Sequence, residues 1–180
     1  MGIVDKVIAA VTPPESEKSR REAREKALGL ATPGSWLAQV LDHHMQIEAA
    51  FEQVRMAADP GGRRAAQQRL ATLLTGHSMA EEAVLYPAMA LNGEKTSSEA
   101  AYVEQSAAKV QIAALDDLDP TSQDYLDKLE HVRGAVAHHV YEEEDSRFPT
   151  LLEKAGVEKN EMLAMRYREE CERYFGDAPD

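Results

Sequence analysis

The chain has 180 residues, a formal net charge of -12, 43% hydrophobic and 29% charged side chains. That acidity argues against a nucleic-acid partner, which needs a basic surface, and against attraction to an anionic membrane, while it suits cation binding. A single cysteine, Cys171, excludes a disulfide framework and a thiolate metal cluster, and the scarcity of aromatic and β-branched runs favours helix.

Residues 1–34 are predicted to form an N-terminal helical extension. A short amphipathic stretch (Ile3, Val4, Val7, Ile8, Val11) ends at Pro13-Pro14, and a charged helix, "SEKSRREAREKALGLA", stops near "TPG". Asp5 and Lys6 interrupt the first stretch, so neither a signal peptide nor a membrane span is expected, and the expected location is the cytoplasm. Four long helical patterns follow within residues 35–152. The first starts at Ser35 as N-cap and runs to about Asp59, and the second spans about Arg63 to Leu91. The third covers about Ser97 to Leu118, and the fourth, capped by Asp119 or Thr121, runs to about Arg147. A tail, 153–180, carries a further helix from about Val157 to Tyr174. Short connections between helices of this length predict an all-α, up-down antiparallel four-helix bundle.

One pattern is written twice. "HSMAEEAVLYP" (77–87) and "HVYEEEDSRFP" (139–149) both read His, three residues, Glu-Glu, three residues, an aromatic, Pro. At about 100° per residue, positions four apart share a helix face, so His77 pairs with Glu81 and His139 with Glu143. His77 falls among Leu70, Leu73, Leu74 and Val84, and His139 among Val132, Ala135 and Val136. On the first helix His44 lies mid-stripe between Leu37, Val40, Leu41, Ile47 and Phe51, with His43 at the edge. His44 leads His77 by 33 positions and Gln105 leads His139 by 34, which makes the two halves a tandem pseudo-repeat with Gln105 in the slot of His44.

A lone histidine on an apolar face is ordinarily a satisfied core residue. Three of them, two with Glu one turn on and in a repeated frame, point instead to a shared inner site. Burial of two carboxylates and three imidazoles is heavily destabilising unless something offsets it. Cations do so, and imidazole with carboxylate suits iron, manganese or zinc. Two His-Glu pairs from opposite helices make a two-metal centre natural, with Glu81 and Glu143 as bridges. Glu82 and Glu144, about 140° from their histidines, are expected in partly exposed salt bridges, and His131 and His138 at the periphery. Tyr86-Pro87 and Phe148-Pro149 read as aromatics closing the core, with Pro ending or kinking the helix.

These residues resemble the hemerythrin-like, or HHE cation-binding, family: "LDHHMQIEAAF" matches its first-helix motif and the doubled His-x-x-x-Glu-Glu segments match the other two, over roughly residues 35–152. The resemblance implies a four-helix bundle around a non-heme di-iron site that binds dioxygen or related small ligands, with His44, His77, Glu81, His139 and Glu143 as metal ligands. It departs from the family on the third helix, where "YVEQSAAKV" offers Gln105 in place of a histidine. Gln105 supplies an amide oxygen or leaves a vacancy, Glu104 substitutes if the helix is rotated, and Lys109 brings a positive charge near. The expected function is a cytoplasmic iron protein that binds or senses dioxygen, nitric oxide or peroxide, or handles iron under oxidative stress. The alternatives are a peroxidase- or oxidase-like enzyme on the same centre, or a metal-free helical module whose segments 1–30 and 157–175 dock a protein partner.

Overall fold

The computed structural model describes residues 15–175, so the amphipathic stretch expected between Ile3 and Val11 lies outside the described residues. All the regular structure among these residues is helical, with no strand. Helix α1 (Glu17–Leu30) is capped by Ser16, whose hydroxyl accepts from Ser19 N at 3.0 Å. Gly34, at φ 79°, turns the chain into α2 (Trp36–Met56), and Ser35 caps that helix as the sequence predicts. Asp59 caps α3 (Pro60–Ala80), with Pro60 in the first turn where its missing N–H is no loss.

The α3 helix continues through a π turn (Glu81–Leu85) into α4 (Tyr86–Leu91). After Gly93 come α5 (Lys95–Ala113) and a 3-10 turn at Ala114–Asp117. Then follow α6 (Gln123–Glu142), a second π turn (Glu143–Arg147) and α7 (Phe148–Ala155). Gly156, at φ 74°, leads into α8 (Val157–Phe175). Side-chain pairs between α3/α4 and α5 run in opposite senses: Gln67 meets Asp116, Glu82 meets Lys109, Glu81 meets Gln105, and Ser98 reaches the Tyr86 carbonyl. The neighbours are therefore antiparallel, and the all-α bundle is the one expected.

Three helix limits differ from the sequence reading. The fourth helix does not stop at Phe148-Pro149 but widens into π register and continues to Ala155. In that register Phe148 N bonds to Glu143 O, and Lys26 Nζ donates to the Asp145 carbonyl within the turn. The first motif makes the same turn: Tyr86 N bonds to Glu81 O, and the Tyr102 hydroxyl donates at 2.6 Å to the Glu82 carbonyl that Pro87, without an N–H, leaves free in this register. The α5 helix gives way to 3-10 after Ala113, and α6 is capped by Ser122 rather than by Asp119 or Thr121. Asp119 instead closes the preceding turn, accepting from Thr121 N and Oγ1.

The apolar interior falls into two clusters. One contains Trp36, Leu37, Leu41, Leu85, Met89, Phe148 and Leu151, and the other Ile47, Phe51, Leu70, Ile112, Leu129 and Val132. On α2, α3 and α5 the predicted site position falls at the junction: His44 between Leu41 and Ile47, His77 between Leu74 and Ala80, Gln105 between Ala101 and Ile112. At about 1.5–3 kcal/mol for each large apolar side chain fully buried, these clusters hold the helices around a polar middle layer.

The flanking helices pack against the bundle. Ala23 and Ala27 of α1 are buried, as are Leu163 and Tyr167 of α8. The Trp36 indole N–H donates to Asn160 Oδ1 at 2.9 Å, and Asn160 Nδ2 donates to the Leu152 carbonyl, fixing α8 to the start of α2.

Candidate metal centre

The middle layer is built from His44, His77, Glu81, Gln105, His139 and Glu143, all buried. One donor atom from each of His44, His77, Glu81 and Glu143 lies within 4.8 Å of the others. His44 Nε2 is 3.3 Å from Glu143 Oε2 and 3.9 Å from Glu81 Oε1, while His77 Nε2 is 3.3 Å from Glu81 Oε2. His139 stands just outside that foursome, with Nε2 at 3.2 Å from the other oxygen of Glu143, Oε1. Gln105 donates its amide N–H to Glu81 Oε2. The sequence-derived positions therefore meet, in two groups joined by two carboxylates.

Each imidazole turns Nε2 inward and is held from behind at Nδ1. His44 Nδ1 is 2.9 Å from Glu144, His139 Nδ1 is 2.7 Å from Glu104, and His77 Nδ1 is 3.3 Å from the Tyr167 hydroxyl. A ring whose Nδ1–H is donated outward presents a lone pair at Nε2, the form a metal requires. The carboxylate partners are fixed in turn: Arg24 grips Glu144 through Nε and Nη2, and Arg147 grips Glu104 through both terminal nitrogens.

The inner atoms are not satisfied among themselves. His44 Nε2, Glu81 Oε1, Gln105 Oε1 and Glu143 Oε2 are buried without a hydrogen-bond partner. Buried polar atoms are almost always paired, so four orphans in one buried layer, with Glu81 Oε1 and Glu143 Oε2 both within 3.9 Å of His44 Nε2, mark a place shaped for a cation. The protein meets the strain with protons. Burial opposes charge on His44, but the carboxylates of Glu143 and Glu144 raise it to about 9. Burial likewise opposes charge on His139, which the Glu143 charge and Glu104 raise to about 10. Burial and the neighbouring Glu143 charge push the Glu81 carboxyl up to about 8. Glu143 is buried too, yet His139 and His44 hold it well below the usual carboxylate range. His77 is pushed well below 6.5 by burial and by the charge on His44. Imidazole, carboxylate and amide donors fit a hard or borderline divalent or trivalent ion, which would take the place of these protons.

A family model described as the hemerythrin HHE cation binding domain matches residues 37–151. The chain belongs to this family. Among curated proteins, one named DNA nickase, from Nostoc sp. (strain PCC 7120 / SAG 25.82 / UTEX 2576), is 26% identical over 126 residues. That match covers 69% of this chain but 36% of the relative, so the chain spans well under half of the relative's length. No solved structure matches. The cation-binding description of the hemerythrin HHE domain and the buried His/Glu group agree on a cation site; the identity of the ion is a separate matter.

Within this hemerythrin-like bundle, four residues have roles that sequence reasoning missed or misplaced. Glu144 is not partly exposed but 1% exposed, behind His44. Glu104 does not turn inward in place of Gln105; it holds the outer nitrogen of His139. Tyr86 does more than close the core, since its hydroxyl enters the centre at 2.8 Å from Glu143 Oε1. Tyr167 comes from the tail helix, and no helical periodicity signals that the tail returns to the site. Glu82 does pair with Lys109, at 2.6 Å, near the surface. His138 faces outward to Glu15 at 2.7 Å, and His43 sits at the edge against the Tyr167 hydroxyl. Among the described residues, no helix is long and apolar enough to cross a membrane.

Proposed function

We propose that the chain is a cytoplasmic non-heme iron protein holding two ions between its helices, with manganese or zinc as competitors for the same donors. It binds or senses dioxygen, nitric oxide or peroxide, or handles iron under oxidative stress. The observation that carries this reading is the inward aim of three Nε2 atoms, each backed at Nδ1, onto Glu81 and Glu143, in a layer where His44 Nε2, Glu81 Oε1, Gln105 Oε1 and Glu143 Oε2 lack partners. His44 and His77 would bind on one side and His139 on the other, with Glu81 and Glu143 offering one oxygen to each. Gln105 Oε1 is a further neutral donor. Bound iron would supply redox chemistry and open positions for a small ligand. The two apolar clusters exclude water from the layer, and Glu104 and Glu144 orient the rings. Full-length protein reconstituted with ferrous iron and then exposed to air should retain stoichiometric iron and change its optical spectrum. If elemental analysis finds no iron, manganese or zinc after reconstitution, a metal-free interaction module takes its place. Rapid-mixing measurements with dioxygen and turnover assays with peroxide then separate a binder from a peroxidase- or oxidase-like enzyme.

DNA cleavage is a second reading, supported by the name of the Nostoc relative. Against it stand the net charge of -12 and the small share of that relative which this chain spans. Plasmid incubated with the metal-loaded protein should stay supercoiled, and accumulation of nicked circles would reverse the ranking.

A further inference from the structure

The two sides of the centre are unequally furnished. One side has two imidazoles, His44 and His77; the other has His139 alone, because α5 brings Gln105 where a second ring would balance it. On that poorer side the Tyr86 hydroxyl lies 2.8 Å from Glu143 Oε1, 3.2 Å from Glu81 Oε2 and 3.2 Å from His139 Nε2. All three of these groups are ones assigned above to the metal, so the hydroxyl oxygen stands among the ligands themselves. The other donor nearby, the Gln105 amide, is already directed at Glu81 Oε2, and its own oxygen is unpaired.

The ring is not free to turn away. Tyr86 is fully buried, its ring packs edge-on against Tyr102 at 5.0 Å, and its carbonyl accepts from the Ser98 hydroxyl at 2.8 Å. The π turn is what aims it. In unbroken α-helix Tyr86 would lie about 140° from Glu81, whereas the i→i+5 register brings residues five apart onto one face. In the second motif the same position carries Phe148, which has no donor and stacks on His44 at 6.4 Å.

Resting on the metal reading above, we propose that Tyr86 is itself a ligand. Its hydroxyl oxygen, with His139, Glu81 and Glu143, holds the ion on the side that lacks a second imidazole. On binding, the phenol proton is released to solvent and an oxygen–metal bond takes the place of the O–H bond; nothing is oxidised or reduced in this step. A hard oxyanion donor favours a hard ion, so this side is the one matched to ferric iron.

The test uses the full chain loaded with ferrous iron and oxidised in air, with iron content measured alongside optical and resonance Raman spectra. Ferric phenolate absorbs in the visible by charge transfer, and excitation in that band enhances tyrosine ring vibrations. The wild type should show both signatures. Tyr86→Phe should lose them while still retaining iron, and Tyr102→Phe and Tyr125→Phe should keep them. Iron bound to the wild type without phenolate vibrations overturns the proposal, as does a band that survives in Tyr86→Phe. The wild-type Raman spectrum needs no variant, so a poorly folding Tyr86→Phe leaves the test intact. Failure to bind iron at all is read separately, from elemental analysis, and removes the metal reading together with this one.

Discussion

The two halves of the molecule start from one motif and end in different chemistry. Both place Glu-Glu at the start of a π turn and both turn the first Glu inward. Beyond that they diverge. Glu81 is raised to about 8 by burial and by the Glu143 charge, whereas Glu143 stays anionic between two charged imidazoles. Glu82 meets Lys109 near the surface; Glu144 is buried between His44 and Arg24 of the N-terminal extension. Tyr86 brings a hydroxyl to the centre, and Phe148 brings a bare ring that also packs edge-on against Trp36 at 5.5 Å. A repeat thus guarantees where a side chain points, while its neighbours on other helices decide what charge it carries.

The sharpest way to break this comparison is to neutralise each bridging carboxylate in metal-free protein. Glu143→Gln removes the anion that His44 and His139 share, and should cost about 3–5 kcal/mol in urea unfolding. Glu81→Gln replaces a group that already carries a proton at neutral pH, and should cost about 1 kcal/mol or less. Equal losses would mean that the two carboxylates are in the same state. In metal-loaded protein, His77→Ala and His139→Ala should each lower iron content and melting temperature together.

The pH dependence of the metal-free protein follows from the same charges. His44 and His139 titrate near 9 and 10 when folded, against 6.5 otherwise. Their stabilisation is therefore complete below about 6.5 and lost as pH rises through 9 to 10. Glu81 has the same sign, with its stabilisation complete below 4.5 and lost as pH rises through about 8. The depressed Glu143 acts oppositely, but only as pH falls through the carboxylate range. The melting temperature of chelator-stripped protein should thus fall from neutral pH to pH 10. Loaded protein should hold level over that interval, because its ligands are already deprotonated. A flat profile for the stripped protein would falsify the protonated state assigned to the centre.

Smaller effects separate the outer partners. Arg24→Ala leaves the buried Glu144 with His44 as its one remaining partner and should cost about 1–3 kcal/mol, with weaker iron retention through a loosened His44. Lys109→Ala breaks a partly exposed pair and should stay within about 1 kcal/mol. Smallest of all, His138→Ala should change stability by about 0.5 kcal/mol and leave iron content unchanged, in contrast to its neighbour His139. Matching losses at His138 and His139 would undo the facing of α6.

The helical periodicity of the sequence was enough to find the bundle, the cap at Ser35, and the inward set His44, His77, Glu81, Gln105, His139 and Glu143. The same arithmetic failed wherever the helix is not α. One extra residue in each π turn rotates everything after Glu81 and Glu143, so Tyr86 reached the site and Pro149 did not end its helix. It failed again for contacts between distant segments: Arg24 with Glu144, and Tyr167 with His77, lie 120 and 90 residues apart, and their stripes carry no register information about each other. Gln105 turns inward as its place in the repeat predicts, while Arg147 holds Glu104 at the outer nitrogen of His139, a contact the repeat does not encode.

The division of the apolar interior into two clusters bears on how the protein matures. Each cluster gathers apolar side chains from both halves of the chain, so the contacts that dock the helices are made without an ion. A small zinc domain, by contrast, stays unfolded until loaded. Chains synthesised during metal starvation would accumulate as folded, protonated precursors rather than as substrates for proteolysis, and loading would become an exchange of protons for ions in a ready-made cleft.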